Sequence, residues 1–171
     1  TVLSTFGASI FTVQLVVFSF LREFAVLLTA ILMAGRTASA FTAQIGLMKA
    51  NEEIDAIQAM GLNPVELLVL PRVLALLLAL PMLTFIGMIS GISGGIVVCA
   101  LTLDISPTMF LTIMQNSVGF EHFLVGMSKA PVYAFLIAII GCLEGFKVSG
   151  SAESVGEHTT ASVVHSIFVV I

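Results

Sequence analysis

Charged residues are so sparse in this chain that their positions divide it. Stretches without Asp, Glu, Lys or Arg cover 1–21, 24–35, 37–48, 73–103, 105–120, 130–143 and 158–171. A hydrocarbon layer of about 30 Å needs roughly 20 apolar residues in helical form, so 73–103 is long enough to cross it. Helices are expected throughout, because lipid offers a bare backbone amide no partner. The alternation over roughly ten residues that marks an outer-membrane β-strand does not occur in the sequence.

The pattern predicts the following elements. A first apolar segment, about 9–48, is interrupted by Arg22-Glu23 and Arg36. It divides into a membrane helix of about 9–35 and a helical extension through GRTASAFTAQIG, whose small residues permit close packing. The most polar section follows, KANEEIDAIQAMGLNPVE at 49–66. Asn51 suits an N-cap, and Glu52, Glu53 and Asp55 suit a first turn; Gly61 suits a left-handed C-terminal position. A short helix over about 52–60 is therefore predicted in water or at the interface. Asn63-Pro64 then opens another helix, with Glu66 at capping-box spacing from Asn63. A second span covers about 71–100, with a kink predicted at Pro81 and with Gly87, Gly91 and Gly95 forming a doubled GxxxG packing face. Ser106-Pro107 starts a further helix, which GFEH at 119–122 ends. A third span covers about 123–146, 147–158 reads as a Gly/Ser-rich loop, and a last helix begins near Thr159. The expectation is an all-α, polytopic membrane protein: one domain over 1–171, with three spans, the start of a fourth, and a polar loop at 49–66.

Composition agrees with lipid as the solvent. Of 171 residues, 58% are apolar and 9% charged, with a net charge of −4, where soluble domains carry roughly 25% charged residues. Six basic residues without a cluster argue against nucleic acid as a partner. Placing 49–66 in the cytoplasm puts Arg36, Lys49, Arg72 and Lys147 on that side, in line with the positive-inside tendency. Residue 1 is Thr, and the chain stops inside VVHSIFVVI. The chain is therefore expected to be part of a longer protein, and no signal peptide is visible.

Candidate chemistry is confined to a few places. Arg22 and Glu23 sit within apolar sequence, where ionisable side chains face a cavity or a partner, unless the pair marks the membrane boundary. Lys129 poses the same choice, and a Glu23–Lys129 contact would answer both desolvation costs. The predicted polar helix, with Ile54, Ile57 and Met60 along it, is shaped for a groove in a soluble partner or for resting on headgroups. GISGG at 91–95 satisfies G-x-S-x-G, but the hydrolase elbow needs a strand-to-helix turn; it also matches the GxSG of rhomboid-type intramembrane serine proteases, a reading that needs His165 to face Ser93. Packing glycines are the simpler reading. Cys99 and Cys142 read as small buried hydrophobes. No G-x-x-x-x-G-K occurs, so any nucleotide-driven step needs another subunit. An ion-coupled transporter built on Arg22, Glu23 and Lys129 would call for an inverted repeat, which the visible chain lacks.

The segment LREFAVLLTAILMAGRTASAFTAQIGLMKANEEIDAIQAMGLNPVELLVLPR, with MQNSV and GMSKAPVYAFLIAIIGCLEGFKVSGSAESVGEHTTASVVHSI further on, resembles the MlaE/YrbE permease family, membrane subunits of ABC transporters that act with MCE-domain proteins on lipids. The resemblance covers residues 15–168. It implies a helical permease core of about five spans in the full protein, three to four of them here, in a bacterial inner membrane. It also implies a homodimer, an ABC ATPase subunit, a periplasmic MCE hexamer, in many systems a STAS-domain protein, and phospholipid as cargo. ATP and Mg would be held by the ATPase, with no cofactor in this chain. Carried over by residue, Glu52, Glu53, Asp55, Ile57, Met60 and Gly61 fall in the coupling helix that docks on the ATPase, and Arg22, Glu23 and Lys129 fall near the lipid cavity. The distance from Gly61 to the following LVLP is shorter than in the related loop of ABC importers, which favours the lipid-permease branch.

Overall fold

The computed structural model describes residues 9–171, and every regular element among them is helical. In chain order these are α1 (Ile10–Ala50), α2 (Glu53–Ala59), α3 (Val65–Thr102), α4 (Pro107–Ser117), α5 (Phe120–Lys147) and α6 (Ala152–Val170). α1, α3 and α5 are each long and apolar enough to cross a membrane. The chain divides into two compact units, one of Leu27–Pro81 with Ala130–Ile171, the other of Thr1–Val26 with Met82–Lys129.

The predicted division of the first segment near residue 35 is replaced by one helix of 41 residues. Two π-helical turns interrupt its α geometry, at Phe20–Phe24 and Ala34–Ala38, and a third, Val65–Val69, lies at the start of α3.

In the unit Leu27–Pro81/Ala130–Ile171, the buried face of α1 is Ala30, Ala34, Ala38, Thr42 and Gly46, every fourth residue. Four such steps would rotate an ideal α-helix by about 160°, and the extra residue of a π turn removes much of that drift. This is what lets one stripe of small residues stay on one side. Opposite it stand Ala130, Ala134, Ala138, Gly141 and Gly145 of α5, also buried. The approach is backbone to backbone. A Cβ on Gly141 would lie 3.0 Å from the Ala38 carbonyl oxygen, and one on Gly145 would lie 2.7 Å from Ile45 Cβ. Thr42 Oγ1 is 2.8 Å from the Gly141 carbonyl and 2.9 Å from that of Ala38, and donates its proton into that pair. Large side chains point the other way, with Leu32 and Leu78 both 73% exposed. Small residues at the α1–α5 contact, with Leu76 and Leu80 of α3 completing the buried cluster, make the kind of close helix approach that a lipid solvent favours.

Two predicted boundaries are corrected in this unit. Asn51 does not cap α2 but ends α1, donating its N–H to the Leu47 carbonyl. Only Glu52, in left-handed conformation at φ 60°, separates it from α2, so no extended residue fits between the helices. The last helix starts at Ala152 rather than near Thr159, because Ser151 Oγ accepts the Ser154 N–H at 3.1 Å as its cap. Glu153, Glu157 and His158 are therefore helical. Ser154, one of the serines that suggested a loop, is buried on α6 together with Ser162, Ser166 and Val170.

In the unit Thr1–Val26/Met82–Lys129, Val13 and Val17 of α1, Cys99 of α3, Ile105 of the connection that follows it and Phe110 of α4 form the buried cluster. Ser106 caps α4 by accepting the Met109 N–H at 3.3 Å. GFEH breaks the chain only at Gly119, since α5 begins at Phe120, three residues before the predicted start. Glu121 then falls in a helical first turn, where the dipole favours an acid. Within this unit α1 lies against α5 at Gly126, where any Cβ would overlap the Leu21 carbonyl. On α3, Gly91 abuts the Phe20 ring and Gly95 abuts Val16, while Gly87 is half-buried.

Gly145→Ala is expected to cost about 1–3 kcal/mol by overpacking against Ile45, lowering the thermal unfolding midpoint of the detergent-solubilised full-length protein. Gly94→Ala, with no atom within 4 Å of the added carbon, serves as the control and should leave the midpoint unchanged or slightly raised.

Candidate functional site

Arg22 and Glu23 lie in the π turn Phe20–Phe24 of α1, and Lys129 lies on α5. Within their unit the three side chains meet. Lys129 Nζ donates to Glu23 Oε1 at 2.6 Å, and Arg22 Nε stands 3.7 Å from the same oxygen. The Arg22 guanidinium also sits 5.4 Å from the centroid of the Phe18 ring. A lone charge at membrane depth costs about 3 kcal/mol or more, so pairing Glu23 with Lys129 removes most of the penalty from both. The trio keeps one net positive charge, on an arginine whose side chain is 44% exposed.

The same unit holds a groove of about 640 Å³. Val16 and Phe20 line it from α1, and Gly91, Gly94, Gly95 and Val98 from α3. Its few polar neighbours are hydroxyls and a thiol, among them Thr12, Ser90, Thr102 and Cys99. The volume suits an apolar chain and offers no charge to a headgroup. Phe20 links the two features, since it walls the groove and belongs to the π turn that carries Arg22 and Glu23.

In the other unit, α2 has two unlike faces. Ile54 and Ile57 are 5% and 8% exposed and join Ile45 of α1, Leu68 of α3 and Cys142 of α5 in one buried cluster. The outward side carries Glu52, Glu53, Asp55, Met60 and Gly61. Ile57, expected on the docking face from its place in the motif, is instead turned into the protein and fixes the helix from behind. Met60 is 68% exposed and Leu62 49%, so the apolar part of the outer face lies at the C-terminal end. Gly61 follows at φ 77°, a conformation that costs most residues about 1 kcal/mol or more. Next, Asn63 Oδ1 accepts the Val65 N–H at 3.0 Å, and Glu66 Oε1 receives the Asn63 amide at 3.5 Å. The capping-box pair is thus made side chain to side chain.

A third group was not anticipated as a site. Glu144, near the end of α5, is 3% exposed. Its Oε1 accepts from Lys147 Nζ at 2.7 Å and lies 3.4 Å from His165 Nδ1, while Oε2 lies 2.8 Å from His158 Nδ1. The i, i+3 spacing of Glu144 and Lys147 was readable, and so was the i, i+7 spacing of the two histidines. Reading 147–158 as a loop hid that both histidines share one face of one helix. Alongside, Lys49 Nζ of α1 donates to the Phe146 carbonyl, closing the end of α5.

Ser93 lies inside the continuous α-helix Leu70–Thr102 and donates to the Ser90 carbonyl at 2.9 Å, so the turn an elbow nucleophile needs is not built there. Cys99 and Cys142 are buried free thiols. Among the described residues, no group of three or more His, Cys, Asp or Glu is arranged to hold a metal ion.

If Glu23 and Lys129 neutralise one another, Lys129→Met should destabilise the protein more than Glu23→Gln and Lys129→Met combined. A double-mutant cycle on thermal midpoints should return a coupling of about 1 kcal/mol or more, within the range for residues in contact. Additive effects would mean that the pair carries no energy.

The chain matches the family model described as Permease MlaE over residues 1–171. It is 41% identical over 152 residues to a probable ABC transporter permease protein of Synechocystis sp., an alignment that takes in 89% of this chain and 58% of that protein. It is 36% identical over 155 residues to a probable ABC transporter permease protein of Pyropia yezoensis, covering 91% and 59%. It is also 36% identical over 171 residues to the intermembrane phospholipid transport system permease protein MlaE of Haemophilus influenzae, covering 99% and 66%. The chain thus spans less than two thirds of the length of these curated relatives. With its long apolar helices, its small-residue packing and a match along its whole length, this chain belongs to the MlaE permease family.

Proposed function

We propose that this chain is the membrane-spanning core of an ABC-transporter permease that moves phospholipid between the inner and outer membranes of a bacterial envelope, driven by a separate ATPase docked on α2. The observation that carries the reading is the form of α2. A seven-residue helix anchored by two buried isoleucines presents acids and an exposed methionine outward, as a rigid handle for a partner should. The Synechocystis and Pyropia relatives, probable ABC transporter permease proteins, favour an ABC partnership, and the Haemophilus relative, a permease protein of an intermembrane phospholipid transport system, favours phospholipid.

In this reading the inner membrane holds the protein, and a permease homodimer, a periplasmic MCE-domain hexamer and in some systems a STAS-domain protein complete the assembly. The chemistry divides by residue. Arg22 keeps the unbalanced charge of its trio and would take the lipid phosphate, for which a guanidinium fork is well suited. Glu23 and Lys129 hold the π turn in place from behind. The apolar groove beside Phe20 would accept an acyl chain, at little polar cost. ATP-driven closure of the ATPase pair would push on α2 and narrow the lipid site, and the hydrolysis chemistry belongs to the partner's ATP and Mg.

The test is a mild-detergent purification of the tagged full-length protein, with everything that accompanies it identified by mass spectrometry. Recovery of a P-loop ATPase, an MCE protein and phospholipid is expected. Glu53→Lys reverses a charge on the outer face of α2 and should lower ATPase recovery about tenfold, since charge reversal at an interface costs on the order of 1–3 kcal/mol, while the thermal midpoint stays near wild type. Full ATPase recovery with Glu53→Lys would remove α2 from the coupling role.

A further inference from the structure

The last turn and a half of α5, Cys142–Lys147, carries two attachments that face different elements. Toward α2, Cys142 belongs to the buried cluster that holds Ile54 and Ile57, with Phe146 packed against it. Toward α6, Glu144 engages His158 at 2.8 Å and His165 at 3.4 Å, two turns apart on that helix. The segment itself is held hard. Gly145 has no room for a Cβ against Ile45, and Lys49 of α1 donates to the Phe146 carbonyl. A buried carboxylate whose second oxygen is engaged only from another helix is costly to pull away, because that oxygen would be left without a hydrogen-bond partner in the interior. It therefore resists sliding where an apolar contact in lipid would not.

We infer that Cys142–Lys147 is a transmission joint, in which Glu144 locks α6 to the seat of α2 so that a displacement imposed on α2 is passed to α6 as a rigid movement. Glu144 is a positioning residue in this scheme; it touches no cargo. The inference rests on the proposed docking of an ATPase at α2, and extends it by naming the helix that receives the motion. The physical basis is a pair of close-packed contacts sharing one short rigid segment, which is the kind of connection through which coupling passes.

The experiment uses the full-length permease with its ATPase in lipid nanodiscs. A Val164→Cys reporter is placed on α6, at a position that is 59% exposed. Maleimide labelling of this cysteine is compared between the nucleotide-free state and the ADP–vanadate-trapped state. With Glu144 intact, the labelling rate should differ between the states by about threefold or more. Glu144→Gln, which keeps the size of the side chain and removes its charge, should abolish that difference and lower lipid transfer per ATP hydrolysed by about tenfold, a change within the range for mutations that alter coupling between sites. ATPase recovery should remain that of wild type. His158→Gln, which leaves Lys147 and His165 on the carboxylate, should give a smaller loss of the same kind and stands in if Glu144→Gln does not fold. A state-dependent labelling change that persists in both variants, or its absence in the protein with Glu144 intact, would overturn the inference. Loss of the coupling reading itself registers separately, as unchanged ATPase recovery with Glu53→Lys.

Discussion

Lipid removes the force that holds soluble helices together, because a leucine gains almost nothing by leaving one apolar surroundings for another. Cohesion must then come from atoms that approach closely and from polar groups that have no other partner. In the unit Leu27–Pro81/Ala130–Ile171 this contact is the seam between Ala38, Thr42 and Ile45 on α1 and Gly141 and Gly145 on α5. The Thr42 hydroxyl crosses it to reach a carbonyl of the other helix. Much else in the unit depends on this seam. It sets the register of α5, and hence where Cys142 meets α2 and where Glu144 meets α6. The π turn at Ala34–Ala38 serves the same end, by keeping a four-residue repeat in phase over a length at which an α-helix would have turned it away.

Charge follows a second rule in the same solvent. Glu23 and Glu144 are both held by basic side chains, but to different effect. Glu23 lies half-exposed beside Lys129 and an arginine with charge to spare, an arrangement open to a ligand. Glu144 is enclosed by Lys147, His158 and His165, and its carboxylate oxygens are already engaged. The first arrangement suits a group that must come and go. The second suits one that must stay.

Much of this was legible in the sequence, and the reasons for the rest are local. Charge-free runs gave the three long helices, because length and polarity alone decide whether a segment can live in lipid. Ser106-Pro107 and Gly61 were legible because each satisfies a backbone requirement that few residues meet. Asn51 misled, since a good capping residue serves equally well at the end of one helix or the start of the next, and only the tight join at Glu52 decides. The start of α6 was obscured by Gly150, Ser151, Ser154 and Gly156, a composition typical of loops in water. Between packed membrane helices the same small residues are interface, and α6 buries Ser154, Ser162 and Ser166. The inward turn of Ile57 was not legible either, because a motif names residues without saying which way a short helix faces.

The inversion of size across this fold has an effect on how it can vary. In a water-soluble domain, a buried leucine fixes its neighbours and a surface alanine is free to drift. Here Leu32, Leu78, Leu101 and Phe168 look out into a solvent indifferent to their shape, and one large apolar side chain can stand in for another. At the seam between α1 and α5 the structural information is held by the residues with the least side chain. A chain of this kind can turn over most of its bulk while its alanines and glycines stand still, and its fold is written in what has been left out.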